Sequence, residues 1–356
     1  MTLKYSTFPV QKITKSKLSS INFDNLKFGR DFSDHMLMAE YNDGAWKTPQ
    51  IMPYQPLEFF PAASVFHYGQ AIFEGLKAHK NEAGEVFIFR ADENLKRLNA
   101  SAVRMCMPEI PEDIFMDGLR QLIELDKDWI PVGAGMSLYL RPFMIADDPF
   151  LGVKPSGSYK FMIITSPSAS YYSGAVKVKI ESHYSRAAKG GVGAAKAAGN
   201  YAASLLPAKK AQEEGYDQLI WTDAKDHQFL EESGTMNLML VKGKSLLTPP
   251  LDGKTILPGI TRKSILQLAE EWGYEVVERP ITVTKLVEGI EENTISELFG
   301  VGTAATIAPI SVLGYEEKQL QLSDYTKWEF SSKVKQYLEE LKTGKVKDTH
   351  NWIETL

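Results

Sequence analysis

The stretch GGVGAAKAAGNY, residues 190–201, carries one amine, that of Lys196, on a run of glycines and alanines. A solvated lysine in a flexible loop satisfies that composition. So does a lysine whose amine must meet something flat that lies against bare backbone, since lysine amines attack carbonyls when their pKa is lowered. Three other patterns bear on the choice. In LPGITR (257–262) a Pro-Gly turn runs straight into a helix. The first N–H groups there, those of Ile260, Thr261 and Arg262, lack helical partners and together with the helix dipole form an anion seat. An ordinary helix start with Thr261 as cap is the alternative. FGVGTAAT (299–306) follows the apolar strand TISELF, and its glycines let backbone approach a ligand, with Thr303 offering a hydroxyl and an N–H. A plain strand-to-strand turn is the alternative. FLEESGTMN (229–237) sets Glu231 and Glu232 after a strand and before a glycine turn. Alternation points one inward and one outward, and the inward carboxylate calls for a cationic partner.

Two arginines extend the set. Arg90 closes EVFIFR (85–90) just before a helix, where it can complete a phosphate site with bidentate bonds or form a surface salt bridge. Arg141 shares a strand face with Tyr139, in a strand too apolar to be an edge, so its charge needs a partner or a ligand. One amine, one inward carboxylate, two backbone anion seats and strand-end arginines together suit a phosphate-bearing aromatic aldehyde. Pyridoxal phosphate needs a lysine for its Schiff base, a carboxylate at its ring nitrogen and a phosphate cup. Bulk beside Lys196 would block the ring or the lysine's swing. Tyr201, five residues on, can bond the ring's phenolate oxygen.

The elements that position these groups read as mixed α and β. EVFIFR predicts a strand, and DENLKRLNASAVRM after it a helix with Leu95, Leu98, Ala102 and Met105 on one side, stopped by Pro108. Pro111 opens another helix with Ile114, Phe115, Leu119, Leu122 and Ile123 as its stripe. MSLYLRPFMIA (136–146) and YKFMIIT (159–165) predict strands. The small, polar SPSASYYSG (166–174) predicts a linker. VKVKIES then starts a strand through Val176, Val178 and Ile180. TRKSILQLAEEWG predicts a helix over Ile265, Leu268, Ala269 and Trp272, ended by Gly273, and YEVVERPI a strand. The expected architecture is an α+β fold: a small α/β domain over 1–165, a linker over 166–175 and a larger cofactor-binding domain over 176–356. Such domains meet at clefts, where ligands sit.

Composition removes several function classes. The 356 residues are 44% hydrophobic and 24% charged, which is globular rather than disordered. A net charge of -5 without a basic cluster argues against nucleic acid as a partner. No apolar run approaches the roughly 20 residues of a membrane helix. The N-terminal MTLKYSTFPVQKITKSKLSS lacks an apolar core and arginine, so it reads as a polar extension of a cytoplasmic protein rather than a targeting segment. The single cysteine, Cys106, sits between methionines and reads as a small core residue. Six scattered histidines offer no metal pair, so no metal is expected.

GGVGAAKAAGNY, EESGTMN, LPGITR, VGTAAT, FHYGQAIFEGLKA and SLYLRPF, in that constellation, resemble the branched-chain amino acid aminotransferases, which are fold type IV pyridoxal-phosphate enzymes. The resemblance runs from FGRDFSDHML (28–37) to the terminal NW (351–352). It implies that Lys196 carries the cofactor's Schiff base and moves the proton between Cα and C4′. Glu232 would keep the pyridine nitrogen protonated, with Glu231 the outward member of the pair. Tyr201 would bond the ring oxygen, and Arg90, Ile260, Thr261 and Thr303 the phosphate. Thr235 and Ala304 would lie near the substrate carboxylate. Phe32, Tyr68, Phe73, Tyr139 and Tyr171 would wall the side-chain pocket, and Arg141 would meet the second carboxylate of glutamate or 2-oxoglutarate. The family's homodimer implies that Tyr68, Leu151 and Val153 enter the partner's site. The CxxC pair of the mammalian-type enzymes is replaced here by Ala305 and Ala308, which implies no thiol regulation of that kind.

Within the fold, D-amino acid transaminase and aminodeoxychorismate lyase are rivals, but both are typically shorter, and HYGQAIFEG with SLYLRP favours the branched-chain type. A non-catalytic phosphate or nucleotide binder explains the glycine turns but neither Lys196 nor Glu232. A cofactor-free Schiff-base lysine enzyme leaves the anion seats unexplained. The expected reaction is a ping-pong transfer between L-leucine, L-isoleucine or L-valine and 2-oxoglutarate.

Overall fold

A computed structural model describes residues 6–169 and 174–356. They cluster into two compact units: Met1–Tyr171 with Ala195–Gly199 and Glu339–Leu356, and Tyr172–Ala194 with Asn200–Leu338. Two short pieces beyond the linker thus group with the N-terminal residues. Strand pairing accounts for both. Ala197 bridges Ile72, and Ile353–Thr355 pairs antiparallel with Val86–Phe89.

In the first unit Ser137–Ala146 is the central strand. It bonds antiparallel to Tyr159–Ser168 on one edge and to Leu76–Lys80 and Ala71–Phe73 on the other. Leu138 and Leu140 join a core with Leu95, Leu98 and Ala102 of the helix Ala91–Arg104 and with Leu119 and Leu122 of the helix Gly118–Leu125. The opposite face of the strand carries Tyr139 and Arg141. The Pro111 helix begins with a π-turn, Asp113–Asp117, and all five of its expected apolar positions are buried.

In the second unit Val176–Ile180 lies between Gln218–Thr222 and Thr306–Tyr315, parallel to both. The sheet continues through Glu297–Gly302 and Met236–Lys242. Leu230–Ser233 pairs with both Gln218–Thr222 and Met236–Lys242, which closes six strands into a ring. The helices Ile260–Glu271 and Val283–Glu291 belong to this unit. Among the described residues, no helix is long and apolar enough to cross a membrane, and no cluster of metal-ligating side chains occurs.

Two sequence expectations need correction here. The linker does not begin at Ser166, because the strand Tyr159–Ser168 runs through it, bonded to Ser137–Ala146 along its length. Cys106 is exposed rather than part of the core. The preceding helix ends at Arg104, and Cys106 turns with a φ of 54°, which buries Met107 and leaves the thiol outside.

Candidate active site

Lys196 lies in the first unit and is held there through its backbone. Its N–H donates to the Ser101 hydroxyl at 3.0 Å, and its carbonyl accepts from the Phe73 N–H at 3.1 Å. Its ammonium nitrogen lies 4.8 Å from the centre of the Phe73 ring. Burial pulls the amine down from the ordinary lysine value to about 8, and Arg97 and Arg141 push the same way, while Glu74 and Tyr139 oppose. Arg141 sits 4.7 Å over the same Phe73 ring and donates to the Tyr139 hydroxyl at 3.0 Å, and its Nε is buried with no hydrogen-bond partner among the described residues. That hydroxyl occupies the space where Gly75 lacks a side chain, since a Cβ there would fall 2.1 Å from it. A lowered amine, an aromatic ring, a phenol and a guanidinium therefore share one wall.

Arg90 belongs to the same unit and is buried. Its φ of 52° is a left-handed conformation that a non-glycine residue adopts at a cost. A bond of 2.7 Å from its N–H to the Trp352 carbonyl secures that turn, and the guanidinium rests 5.1 Å from the Trp352 ring and 3.7 Å from Glu93. Burial lowers its pKa, against Glu93 and Asp92.

The second unit assembles the carboxylate and the helix start. Glu232 is 3% exposed. One of its oxygens accepts from the Leu257 N–H at 2.7 Å and from the Asn237 amide at 3.3 Å, and the other pairs with Arg186 Nε at 3.0 Å. Arg186 also donates to the carbonyls of Gly193 and Thr255. Asn237 donates to the Leu257 carbonyl as well, which ties EESGTMN to LPGITR. Gly259 caps the helix Ile260–Glu271, and a Cβ on it would fall 1.9 Å from the Asn237 amide oxygen, so only glycine permits this approach. The VGTAAT turn joins Glu297–Gly302 to Thr306–Tyr315, and the Gly302 position lies against the Thr235 carbonyl.

A family model described as amino-transferase class IV matches residues 71–313. Branched-chain-amino-acid transaminase 1 of Bacillus subtilis is 45% identical over 333 residues, 92% of this chain and 93% of its own length. The chain belongs to the class IV amino-transferase family. A probable branched-chain-amino-acid aminotransferase of Staphylococcus epidermidis is similar at 46% identity, covering 92% of both chains. Among solved structures of this family, the Escherichia coli branched-chain amino acid aminotransferase aligns with a TM-score of 0.75 at 28% identity, over 90% of this chain and 98% of that one. The Thermobaculum terrenum branched-chain amino acid aminotransferase, solved in its PLP-form, shares the fold, with a TM-score of 0.72 at 21% identity over 90% of this chain and 98% of its own. The mixed α/β, fold type IV architecture expected from the sequence is therefore the family's own.

Of the residues singled out in the sequence, the first unit brings Lys196, Phe73, Tyr139 and Arg141 together. Phe32 instead stacks on Tyr54 at 4.8 Å. Tyr68, Leu151 and Val153 are exposed at 43%, 66% and 91%. Tyr171 lies outside the described residues. The second unit holds Tyr201 in the helix Ala198–Ala203, Ile260 and Thr261 in the first turn of their helix, Thr235 at an exposed turn and Thr303 with Ala304 in the neighbouring one. The helix cap is Gly259, not Thr261. Glu231 is not outward: it is 6% exposed. Both faces of its strand are covered, and burial raises its pKa, with Glu232 adding to the effect while the Thr255 hydroxyl and Arg186 oppose it. Sequence reading missed Glu74, Arg97 and Ser101 beside Lys196, and Arg186 and Asn237 beside Glu232. The one available signal was polar residues at helical spacing, Asn94, Arg97 and Ser101, on a face otherwise apolar.

Proposed function

We propose that this chain is a branched-chain amino acid aminotransferase, which passes the amino group of L-leucine, L-isoleucine or L-valine to 2-oxoglutarate and back by a ping-pong course. The lowered amine of Lys196, set beside Phe73, Tyr139 and Arg141, carries the reading, and near-full-length similarity to the Bacillus subtilis transaminase supports it. Pyridoxal phosphate, when bound, supplies a carbonyl that exchanges amino groups and a ring that withdraws electrons. The residues present fit it: a buried carboxylate, a buried arginine at a strand end, and a helix start opened by a glycine that no other residue can replace.

Each residue then has a task. With the cofactor bound, Lys196 would take the proton from the substrate Cα and give it back at the cofactor's C4′. Glu232, oriented by Arg186 and Asn237, keeps the ring nitrogen protonated, and Tyr201 bonds the ring oxygen. Arg90, Thr303 and the first-turn N–H groups of Ile260 and Thr261 hold the phosphate. Thr235 and Ala304 bind the substrate carboxylate. Phe32, Phe73 and Tyr139 give apolar contact to a branched side chain. Arg141 and the Tyr139 hydroxyl receive the second carboxylate of 2-oxoglutarate without leaving a charge uncompensated.

The working form is a cytoplasmic homodimer. Phe60, Phe66, Tyr68, Phe150, Leu151 and Val153 support this: all are exposed, on two segments joined by the Ala63–Pro149 bridge, and exposed apolar side chains brought together mark an interface. Tyr68, Leu151 and Val153 reach the partner's site.

A visible spectrum of the purified protein tests the reading. A band that moves to shorter wavelength on addition of L-leucine supports it. A band that ignores leucine and responds to D-alanine moves the chain to the D-amino acid branch of the fold. A colourless protein that takes up no added pyridoxal phosphate sinks it.

A further inference from the structure

The helix Ala91–Arg104 carries a buried polar stripe that the proposed reaction does not use. Asn94, Arg97 and Ser101 are 2%, 9% and 0% exposed, on the same side as the core residues Leu95, Leu98 and Ala102. Buried polar groups persist only when bonded, and the bonds here include several to the strand end 73–75 and one to the backbone of Lys196. Arg97 donates to both oxygens of Glu74, at 2.7 and 2.8 Å, and Asn94 donates to the same carboxylate at 2.7 Å. Glu74 is 0% exposed, and its charge is sustained by these donors, by the Gly75 N–H at 3.1 Å and by the nearby Lys196 amine. Ser101 donates to the Arg97 carbonyl at 3.0 Å and accepts from the Lys196 N–H. The residue before Glu74 is Phe73, whose N–H bonds the Lys196 carbonyl and whose ring lies under the Lys196 amine. One helix face thus grips the strand end 73–75 through a charge pair and the lysine's backbone through a hydroxyl.

We propose that Glu74, Arg97 and Ser101 are positioning residues for Lys196: the ion pair fixes the strand end against which the lysine lies and places a net-neutral pair of charges beside its amine, while the serine fixes its backbone. None of the three need touch substrate. A purely structural pair would lose stability in Glu74→Gln, because Arg97 is left uncompensated, but would leave no mark on the lysine amine. A positioning pair does leave one, since the amine feels the carboxylate and the guanidinium with opposite sign. The proposal rests on Lys196 being the reactive lysine of the transaminase reading.

The test is acylation of lysines in the full-length chain freed of cofactor, followed across pH and resolved by peptide mass spectrometry. In the unsubstituted protein the reactivity of Lys196 should rise near pH 8. In Glu74→Gln the carboxylate's attraction is gone and Arg97 remains. The Lys196 midpoint should then fall by about one pH unit, while those of Lys77 and Lys342, in the same unit, stay put. A Lys196 midpoint that does not move, or that moves together with that of Lys342, overturns the proposal. Ser101→Ala is the second variant and serves if the first does not fold. It should leave the midpoint in place and speed deuterium uptake at the Lys196 amide, with no change in the peptide that covers 176–180. Unchanged uptake at that amide overturns the serine's part. Labelling reads the amine without turnover, so an unsubstituted protein that lacks transaminase activity would sink the functional reading, and an unmoved midpoint would sink this one.

Discussion

The first unit contains two lysines with lowered amines, Lys196 and Lys342, that differ in what surrounds the amine. Lys196 is held at about 8 and Lys342 at about 7, in both cases chiefly by burial, and each lies just under 5 Å from a phenylalanine ring, Phe73 and Phe89 respectively. Around Lys342 the named neighbouring charges are one lysine and one glutamate. Lys77, itself lowered to about 8, pushes it further down, and Glu339 opposes. His79 beside them is held well below its ordinary value by burial and by both lysines. Around Lys196 the charges alternate: Glu74 and Tyr139 favour the ammonium, and Arg97 and Arg141 disfavour it. A lowered lysine is thus no mark of function by itself, and perturbed groups also arise in purely structural networks. What separates the two regions is the fixed backbone on both sides of Lys196, together with a phenol and a guanidinium on the same wall.

The largest expected effect tests that separation directly. Lys196→Ala should abolish turnover, because no other amine is placed to move the proton, while Lys342→Met should leave steady-state turnover near its unsubstituted rate. Comparable losses in both variants would erase the distinction. Next in size, Glu232→Ala should cost orders of magnitude in kcat and still allow cofactor uptake, because an unprotonated ring withdraws electrons poorly. Uptake read by absorbance, beside the rate, checks both halves. A variant that loses the cofactor altogether would show Glu232 to be an anchor rather than an electronic partner.

A smaller and selective effect is expected at Arg141. Arg141→Met removes the partner of a second carboxylate and keeps the apolar wall. The KM for 2-oxoglutarate should rise by about tenfold or more, with the leucine half-reaction little changed. An equal loss on both substrates would mean that the arginine acts through Lys196, whose pKa it depresses, rather than through the acid.

The comparison also marks what the sequence could tell. Apolar periodicity located the strands and helices, because alternation and helical spacing are properties of adjacent residues. Lys196 stood out for a similar reason: its bare neighbours are next to it in the chain. Its electrostatic partners did not. Arg97 and Glu74 lie 23 residues apart and meet only because a helix and a strand end fold together. Arg186 and Glu232 lie far apart in the chain and meet only when the loop after Val176–Ile180 folds against the strand Leu230–Ser233. Alternation put one glutamate of the pair outward, the resemblance made it Glu231, and neither could foresee that a covering segment, with the Thr255 hydroxyl, buries that side as well. Cys106 misled in the opposite way: its methionine neighbours suggested a core, and one left-handed turn put it outside.

The smallest effect is on stability and concerns the region without chemistry. The folded chain holds the Lys342 amine at about 7, against an ordinary lysine value of 10.5. Between those two pH values the unfolded chain binds more protons than the folded one, so stability rises with pH across that window. Below about pH 7 the penalty is complete, at most about 5 kcal/mol, and Glu339 is the named charge that opposes it. Lys342→Met keeps the apolar stem and removes the titrating group. It should raise the thermal midpoint by a few degrees at pH 7 and flatten its rise between pH 7 and 9, as read by calorimetry. If the variant is instead less stable at pH 7, the ammonium has partners worth more than its burial costs. The Lys342 region would then be a satisfied ionic network, and the contrast with Lys196 would rest on placement alone.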